Sequence, residues 1–107
     1  MSEKDLKDRL VNLAKCLGYL VHHDLPAMNM RGRWATHVQG DVGFPDLILV
    51  HPKGGMVVLE LKSERGKLTP GQKIWMNAFE RAGILAYVVR PSDMNFITRI
   101  LESPRYA

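Results

Sequence analysis

Residues Gly43 to Lys62 read G-F-P-D-L-I-L-V-H-P-K-G-G-M-V-V-L-E-L-K. The two apolar segments rich in β-branched residues, Asp46–His51 and Met56–Lys62, are predicted strands, and the Pro-Lys-Gly-Gly sequence between them predicts a hairpin turn. An aspartate opens the first strand, and Glu-x-Lys closes the second. Carboxylates are costly to bury without a partner, so three charges converging at one end of a hairpin favour a metal site over a core.

The register of the hairpin decides whether these charges share a face. Side chains alternate along a strand, so Glu60 and Lys62 point to the same side. A loop of three residues, Lys53 to Gly55, places Asp46 opposite Lys62 and one diagonal step from Glu60, all on one face. A two-residue loop would send the aspartate to the other face. We therefore predict the three-residue loop, or a bulge with the same effect.

The rest of the chain predicts an α/β protein in the order helix, strand, loop, hairpin, helix, strand, helix. Both faces of the hairpin are otherwise apolar, so helices are expected on both sides of the sheet. The predicted elements outside the hairpin are a helix capped by Ser2 that ends at Gly18, a strand at Tyr19–His23, a loop with at most one short strand at Asp24–Gly43, a helix from Thr69-Pro70 to about Gly83, a strand at Ile84–Val89 and a helix capped by Ser92 that runs to about Leu101.

Composition sets the broad class of the protein. The 107 residues, 46% of them hydrophobic, predict one domain spanning 1–107 with a packed core. No apolar run approaches the roughly 20 residues needed to cross a bilayer, and the polar N-terminus does not resemble a signal peptide. Cys16 stands alone, which excludes an internal disulfide and favours a reducing cytosol. The net charge of +4 and the pI near 9.5 favour a polyanionic partner.

The charged residues of the hairpin suit phosphodiester hydrolysis. Mg²⁺ prefers oxygen ligands and needs only one or two carboxylates besides substrate phosphate. Asp46 and Glu60 supply carboxylates, and the backbone carbonyl of Leu61 is a candidate third oxygen. Lys62 can orient the attacking water or stabilise charge that develops on the phosphate. The alternative is structural, with an exposed aspartate at the start of the strand and a glutamate–lysine salt bridge on the next strand.

The extended motif resembles the VRR-NUC family of the PD-(D/E)xK nuclease superfamily. It consists of Gly43-Phe-Pro-Asp46, thirteen residues, Glu60-Leu-Lys62 and then Gly66-Lys-Leu-Thr-Pro-Gly-Gln72. The similarity extends to Arg90-Pro-Ser-Asp93 and is strongest to small stand-alone members found in bacteriophages and related to Holliday-junction resolvases. It implies a restriction-endonuclease-like α-β-β-β-α-β core with a mixed sheet flanked by helices, a divalent metal, and endonucleolytic cleavage of DNA, often branched DNA.

The resemblance also implies site residues. Asp46 and Glu60 correspond to the metal-binding acids, Lys62 to the catalytic lysine, and Gln72 to a glutamine near the active site. Thr69-Pro-Gly-Gln72 is equally a capping box, which explains the glutamine without catalysis. Glu3 corresponds to a glutamate at the start of the first helix. Asp5 competes with it for that role, and either acid could simply favour a helix N-terminus.

Other residues are weaker candidates for function. The four histidines, at 22, 23, 37 and 51, lack the spacing typical of zinc ligands. Trp75 and Phe79, four apart on the second helix, are predicted core residues. Five basic residues are predicted to flank the site in loops, where they are either solvated charges or contacts to a DNA backbone. These residues are Arg31, Arg33, Lys53, Arg65 and Lys67.

Together these features predict a metal-dependent endodeoxyribonuclease that uses Mg²⁺ or Mn²⁺ in the cytoplasm of a bacterium or a phage-infected cell. A homodimer is expected, because cutting both strands or a four-way junction requires two active sites. Two alternatives remain. One is a catalytically silent nucleic-acid-binding module on the same fold, and the other is a nuclease acting on RNA or single strands.

Overall fold

The computed structural model describes residues 1–24 and 40–104, together with the backbone of two short strands at 27–28 and 34–35. The elements, in chain order, are α1 (Glu3–Cys16), β1 (Leu20–His22), β2 (Ala27–Met28), β3 (Trp34–Ala35), β4 (Leu47–Val50), β5 (Met56–Leu61), α2 (Pro70–Arg81), β6 (Leu85–Val89), a 3₁₀ turn (Pro91–Asp93) and α3 (Met94–Glu102). Within the described residues, no helix is long and apolar enough to cross a membrane.

One mixed sheet organises these elements, in the strand order β1-β4-β5-β6. β4 pairs antiparallel with β1 and with β5, whereas β6 runs parallel to β5. The parallel pairing is possible because α2 forms the crossover between β5 and β6. The predicted α/β fold, with a mixed sheet, flanking helices and a C-terminal helix, is confirmed.

The main core lies on one face of the sheet. Alternate residues of β4 and β5, including Leu47, Leu49 and Leu59, are fully buried there. They form one cluster with the leucine stripe of α1 and with Ile97 and Leu101 of α3. Burying one such side chain contributes roughly 2 kcal/mol, so this face fixes the orientation of the hairpin. Glu60 alternates with these residues and therefore projects from the opposite face, toward α2.

The register of the β4–β5 hairpin differs from the prediction by one turn residue. Val50 pairs with Met56, and the His51 N–H donates to the Gly55 carbonyl at 2.8 Å. The three-residue loop is therefore present, but it begins at Pro52 instead of Lys53. Continued past the last pair, this register places Asp46 level with Glu60, not opposite Lys62 as predicted. Because the shift moves the pairing by two residues, the predicted shared face is retained.

Both long helices begin with capping boxes. In α1, the Asp5 N–H donates to Ser2 Oγ at 3.1 Å, and the Ser2 N–H donates to Asp5 Oδ2 at 3.3 Å. In α2, Thr69 and Gln72 make the equivalent pair of hydrogen bonds. These reciprocal bonds satisfy N–H groups that a helix otherwise leaves unpaired, which explains why the chain turns into helix at Glu3 and Pro70.

Two predicted features outside the main sheet need correction. The segment expected to hold at most one short strand contains two, with Ala27 paired to Ala35 and Met28 to Trp34. Ser92 lies inside the 3₁₀ turn instead of capping α3. Its N–H and hydroxyl donate to the Glu64 carboxylate, so the turn is held by a long-range contact that a local pattern does not reveal.

Candidate active site

Asp46 sits where β4 begins, and its carboxylate continues the hydrogen-bond ladder of the strand. The Leu61 N–H donates to Asp46 Oδ2 at 2.8 Å. In a regular ladder this N–H would meet a backbone carbonyl, but the backbone pairing ends at Leu47 and Leu59. One oxygen of Asp46 is thereby fixed against β5. A charge-assisted bond of this kind orients the carboxylate beside Glu60.

Glu60 is a buried acid with incomplete bonding. Its exposure is 2%, and within the described residues Oε2 has no hydrogen-bond partner. Burial raises the pKa of its carboxyl to about 8, and the charge of Asp46 beside it contributes to the rise. Lys62 acts on the pKa in the opposite direction. A buried carboxylate without a partner is destabilising, so a cation bound at this site would stabilise it.

Lys62 supplies part of that charge from the same face of β5. Its Nζ lies 3.9 Å from Glu60 Oε1, and its side chain is 13% exposed. Its backbone N–H donates to the Val89 carbonyl at 3.0 Å, which ties the end of β5 to β6. The Glu60–Lys62 salt bridge of the structural alternative is therefore present, but it is long and reaches only one oxygen of Glu60. The structural alternative accounts for Oε1 and leaves Oε2 unexplained.

The start of α1 lies within electrostatic reach of this acid pair. The charge of Glu3 makes a small contribution to the raised pKa of Glu60. Asp5, its rival, is occupied by the capping box with Ser2, and these hydrogen bonds lower the pKa of its carboxyl. The hydrogen bonds of Asp5 with Ser2 and the effect of the Glu3 charge on Glu60 thus favour Glu3 over Asp5 as the acid near the site. A catalytic role for Glu3 stays a prediction.

Gln72 makes the capping interactions that the sequence offered as its structural explanation. Its Oε1 accepts from the Thr69 N–H at 2.9 Å, and its own N–H donates to Thr69 Oγ1 at 3.2 Å. In this arrangement the side-chain oxygen serves the helix start. The role of Gln72 in the site, and that of the Leu61 carbonyl as a ligand, remain predictions.

The predicted DNA-binding residues occupy different places. Arg65 and Lys67 are exposed in the loop that directly follows Lys62. Lys53 is exposed in the hairpin turn, which joins the far ends of β4 and β5, so it does not flank the site as predicted. Arg31 and Arg33 lie outside the described residues.

Arg90, named from the sequence only as part of the matched motif, and Glu64, not named at all, hold the loop after Lys62. The Arg90 guanidinium donates to the Ser63 carbonyl at 2.9 Å, and Glu64 accepts from Ser92. They connect the end of β5 to the turn before α3. The position of the charged Arg90 directly after β6 was the only sequence signal for this contact. The signal does not identify the partner, because Ser63 is distant in sequence.

The donor set fits a hard divalent cation. Among the residues that the structure describes, no three His, Cys, Asp or Glu side chains form a group able to hold a metal. The acid pair of Asp46 and Glu60 offers two carboxylates, and Glu60 Oε2 is free within this part of the chain. Two carboxylates suffice for Mg²⁺ or Mn²⁺ when waters and substrate phosphate complete the shell.

Comparison with known proteins identifies the family and the fold. A family model described as the VRR-NUC domain matches residues 3–93, most of the chain. A solved structure described as a VRR_NUC domain is similar with a TM-score of 0.60 and 24% identity, over 96% of this chain and 98% of that chain. At that identity the structural likeness shows the fold alone. A search of curated proteins gave no match. Because the family model covers well over half of the sequence, the chain belongs to the VRR-NUC domain family, a nuclease-type family.

Proposed function

We propose that this protein is a divalent-metal-dependent endonuclease that hydrolyses DNA phosphodiester bonds. The observation that carries the proposal is the buried carboxyl group of Glu60 beside Asp46 and Lys62, whose Oε2 has no hydrogen-bond partner among the described residues. A purely structural acid at this position would be expected to have a partner for each buried oxygen. A site that binds a cation during function leaves one free.

Asp46 and Glu60 would hold the metal, with the Leu61 carbonyl as a further oxygen and Glu3 as a nearby acid. When bound, Mg²⁺ or Mn²⁺ supplies a Lewis acid that neutralises phosphate charge and eases deprotonation of a water. Asp46 is oriented for this task because the Leu61 N–H fixes one of its oxygens. Burial also strengthens every electrostatic interaction in the site.

Lys62 is the positively charged side chain of the proposed active site. Its ammonium lies 3.9 Å from Glu60 Oε1 and its side chain is 13% exposed, so we infer that it can contact both this carboxyl group and an incoming phosphate. We assign it to orient the attacking water and to stabilise negative charge developing on the phosphate oxygens. Gln72 is a candidate second contact, and Arg65 and Lys67 are proposed to contact the DNA backbone.

The test is cleavage of labelled four-way, flap, linear duplex and single-stranded substrates in the presence of Mn²⁺ or Mg²⁺. We expect cleavage of DNA, with branched substrates preferred, and its loss in Asp46→Asn, Glu60→Gln and Lys62→Ala. Lys53→Ala, at the far end of the hairpin, is the matched control and should cut normally. Circular dichroism should show that all variants remain folded.

The outcomes separate this proposal from its alternatives. Cleavage confined to RNA or single strands would replace the DNA assignment. Failure of the wild type to cut any substrate, with unchanged DNA binding in Lys62→Ala, would instead support a silent binding module. A homodimer is proposed for paired cuts, and light scattering combined with size-exclusion chromatography measures it directly.

A further inference from the structure

The segment before β4, residues 41–44, lies against α2 through three kinds of contact. The Trp75 indole N–H donates to the Asp41 carbonyl at 3.3 Å. The Phe44 ring meets the Trp75 ring edge-to-face at 5.0 Å and the Phe79 ring at 6.1 Å. Trp75 and Phe79, predicted as core residues, are half-buried and serve as the dock for this segment. Edge-to-face aromatic pairs add specificity of geometry to the apolar contact.

The third contact joins two glycine backbones. A Cβ on Gly43 would lie 2.6 Å from the Gln72 nitrogen and 2.8 Å from the Gly71 carbonyl oxygen. A Cβ on Gly71 would lie 2.8 Å from the Val42 carbonyl oxygen. Neither backbone can move aside as a flexible side chain would. Residues 41–44 and the first turn of α2 therefore approach as closely as they do only because both positions lack a side chain.

Gly43 lies three residues before Asp46, a proposed metal ligand, and Phe44 lies two residues before it. Phe44 is followed by the buried Pro45 and then by Asp46. Proline fixes its own φ and restricts the residue before it, so a displacement of Phe44 is transmitted along a stiff connection. The Asp46 carboxylate is in turn bonded to the Leu61 N–H. The place of residues 41–44 on α2 thus determines where β4 starts.

We propose that Gly43 and Gly71 are positioning residues for Asp46, so that the start of α2 sets the spacing of the Asp46–Glu60 acid pair. The inference rests on the proposed function only in its consequence, which is that the two glycines affect metal binding. Its structural part stands apart from that function, since the Leu61 N–H bond reports the position of Asp46 directly. It also explains Gly71, whose φ is not positive, and adds a steric reason for glycine to the positive φ of Gly43.

The structural test uses Gly71→Ala and measures amide hydrogen exchange at Leu61 and Lys62. Alanine has the higher helix propensity, so without the contact the variant would only strengthen α2. We expect Leu61 exchange to rise tenfold or more, with Lys62 nearly unchanged because its N–H is bonded to Val89 on the other side of β5. Equal exchange at both amides in variant and wild type overturns the proposal.

Two controls separate the contact from general effects. Gly40 has a φ of +109° and no atom of the described residues within 4 Å of its Cβ position, whereas Gly43 has a φ of +98° and the close contact. Gly40→Ala therefore introduces only the conformational strain of a positive φ, whereas Gly43→Ala introduces that strain and the steric clash with α2. Asn77→Ala changes an exposed position of α2. Loss of Leu61 protection in either control to the same extent as in Gly71→Ala also overturns the proposal.

The functional test is Mn²⁺ binding by isothermal titration without DNA, followed by cleavage at several metal concentrations. We expect the Mn²⁺ dissociation constant to rise roughly tenfold or more in Gly71→Ala, as for other residues that orient a ligand. The metal concentration for half-maximal cleavage should rise with it, while KM for DNA stays the same. Unchanged Mn²⁺ affinity in a variant with altered Leu61 exchange overturns the positioning role. If the wild type neither binds metal nor cuts DNA, the proposed function is refuted. Hydrogen exchange at Leu61 would still test whether the glycine contact positions Asp46.

Discussion

The two ends of the β4–β5 hairpin each bury one polar side chain, and they treat it differently. At the turn, His51 is 8% exposed, accepts from the Lys53 N–H at 3.1 Å and donates from Nε2 to the Leu17 carbonyl at 2.9 Å. At the other end, Glu60 is 2% exposed and has an oxygen without a partner in the described structure.

We interpret the difference as that between a residue that stabilises the fold and one that we propose binds a metal. His51 satisfies both ring nitrogens and closes the turn, so its burial is compensated. Glu60 is buried next to another acid, so the ionised form of its carboxyl opposes folding in the absence of a cation. Substitution at the turn should therefore affect stability, and substitution at the site should affect activity.

The largest effect is expected for Glu60→Gln. This change keeps the shape of the side chain and removes its charge, so cleavage should fall by roughly 10³-fold, as when one preorganised electrostatic group is lost from an active site. Single-turnover cleavage in Mn²⁺ measures it, with Lys53→Ala as the control. Cleavage within a few-fold of wild type would assign Glu60 to the fold instead.

The next largest effect is a loss of stability at the hairpin turn. His51→Ala leaves the Lys53 N–H and the Leu17 carbonyl unpaired and should reduce the free energy of unfolding by about 2 kcal/mol or more. Urea denaturation measures this change. The exposed His22, on β1, is the matched control and should shift stability little. If His51→Ala lost cleavage at a temperature where it is fully folded, the contrast between the two ends would fail.

The pH dependence of stability provides a third comparison. In the metal-free protein the raised pKa of Glu60, about 8 against 4.5 for an ordinary glutamate, means that the folded state favours its protonated form. This contribution is complete below about pH 4.5 and is lost as the pH rises through about 8. Wild type should therefore lose stability relative to Glu60→Gln between pH 5 and 8.5. Thermal unfolding in EDTA at both pH values tests this, and parallel curves for the two proteins would contradict it.

The smallest effect concerns the basic residues at the two ends. Arg65→Ala, in the loop after Lys62, should weaken duplex binding a few-fold and reduce the salt dependence of log Kd by about one unit. Lys53→Ala, in the turn, should change neither. Both are measured by fluorescence anisotropy in a Glu60→Gln background to prevent cleavage. An equal loss of duplex affinity in the two variants would indicate that the DNA-binding surface extends along the whole hairpin.

Much of this fold was predictable because its signals are local. Ser2 and Thr69 mark the helix starts through capping boxes, and the alternation of apolar residues assigns the acids to one face. The register was only partly predictable. The turn begins at Pro52 because His51 is held by the Leu17 carbonyl, a contact between residues far apart in sequence.

The grouping of the candidate site residues on one face was predictable, but their detailed contacts were not. The sequence indicated Asp46, Glu60 and Lys62 as partners, whereas the bond from the Leu61 N–H depends on where the β4 ladder ends. The docking of Phe44 on Trp75 also escaped prediction, because periodicity within α2 cannot identify a partner from another segment. Sequence patterns describe faces of single elements, and the site is completed by contacts between elements.

The central claim is that a divalent cation completes the bonding of Glu60. Isothermal titration of Mn²⁺ into the metal-free protein at pH 8.5, where the carboxyl is ionised, tests it most directly. The account predicts saturable binding to the wild type and an affinity at least roughly tenfold weaker for Glu60→Gln, with Lys53→Ala unchanged. Identical titrations for wild type and Glu60→Gln would contradict it.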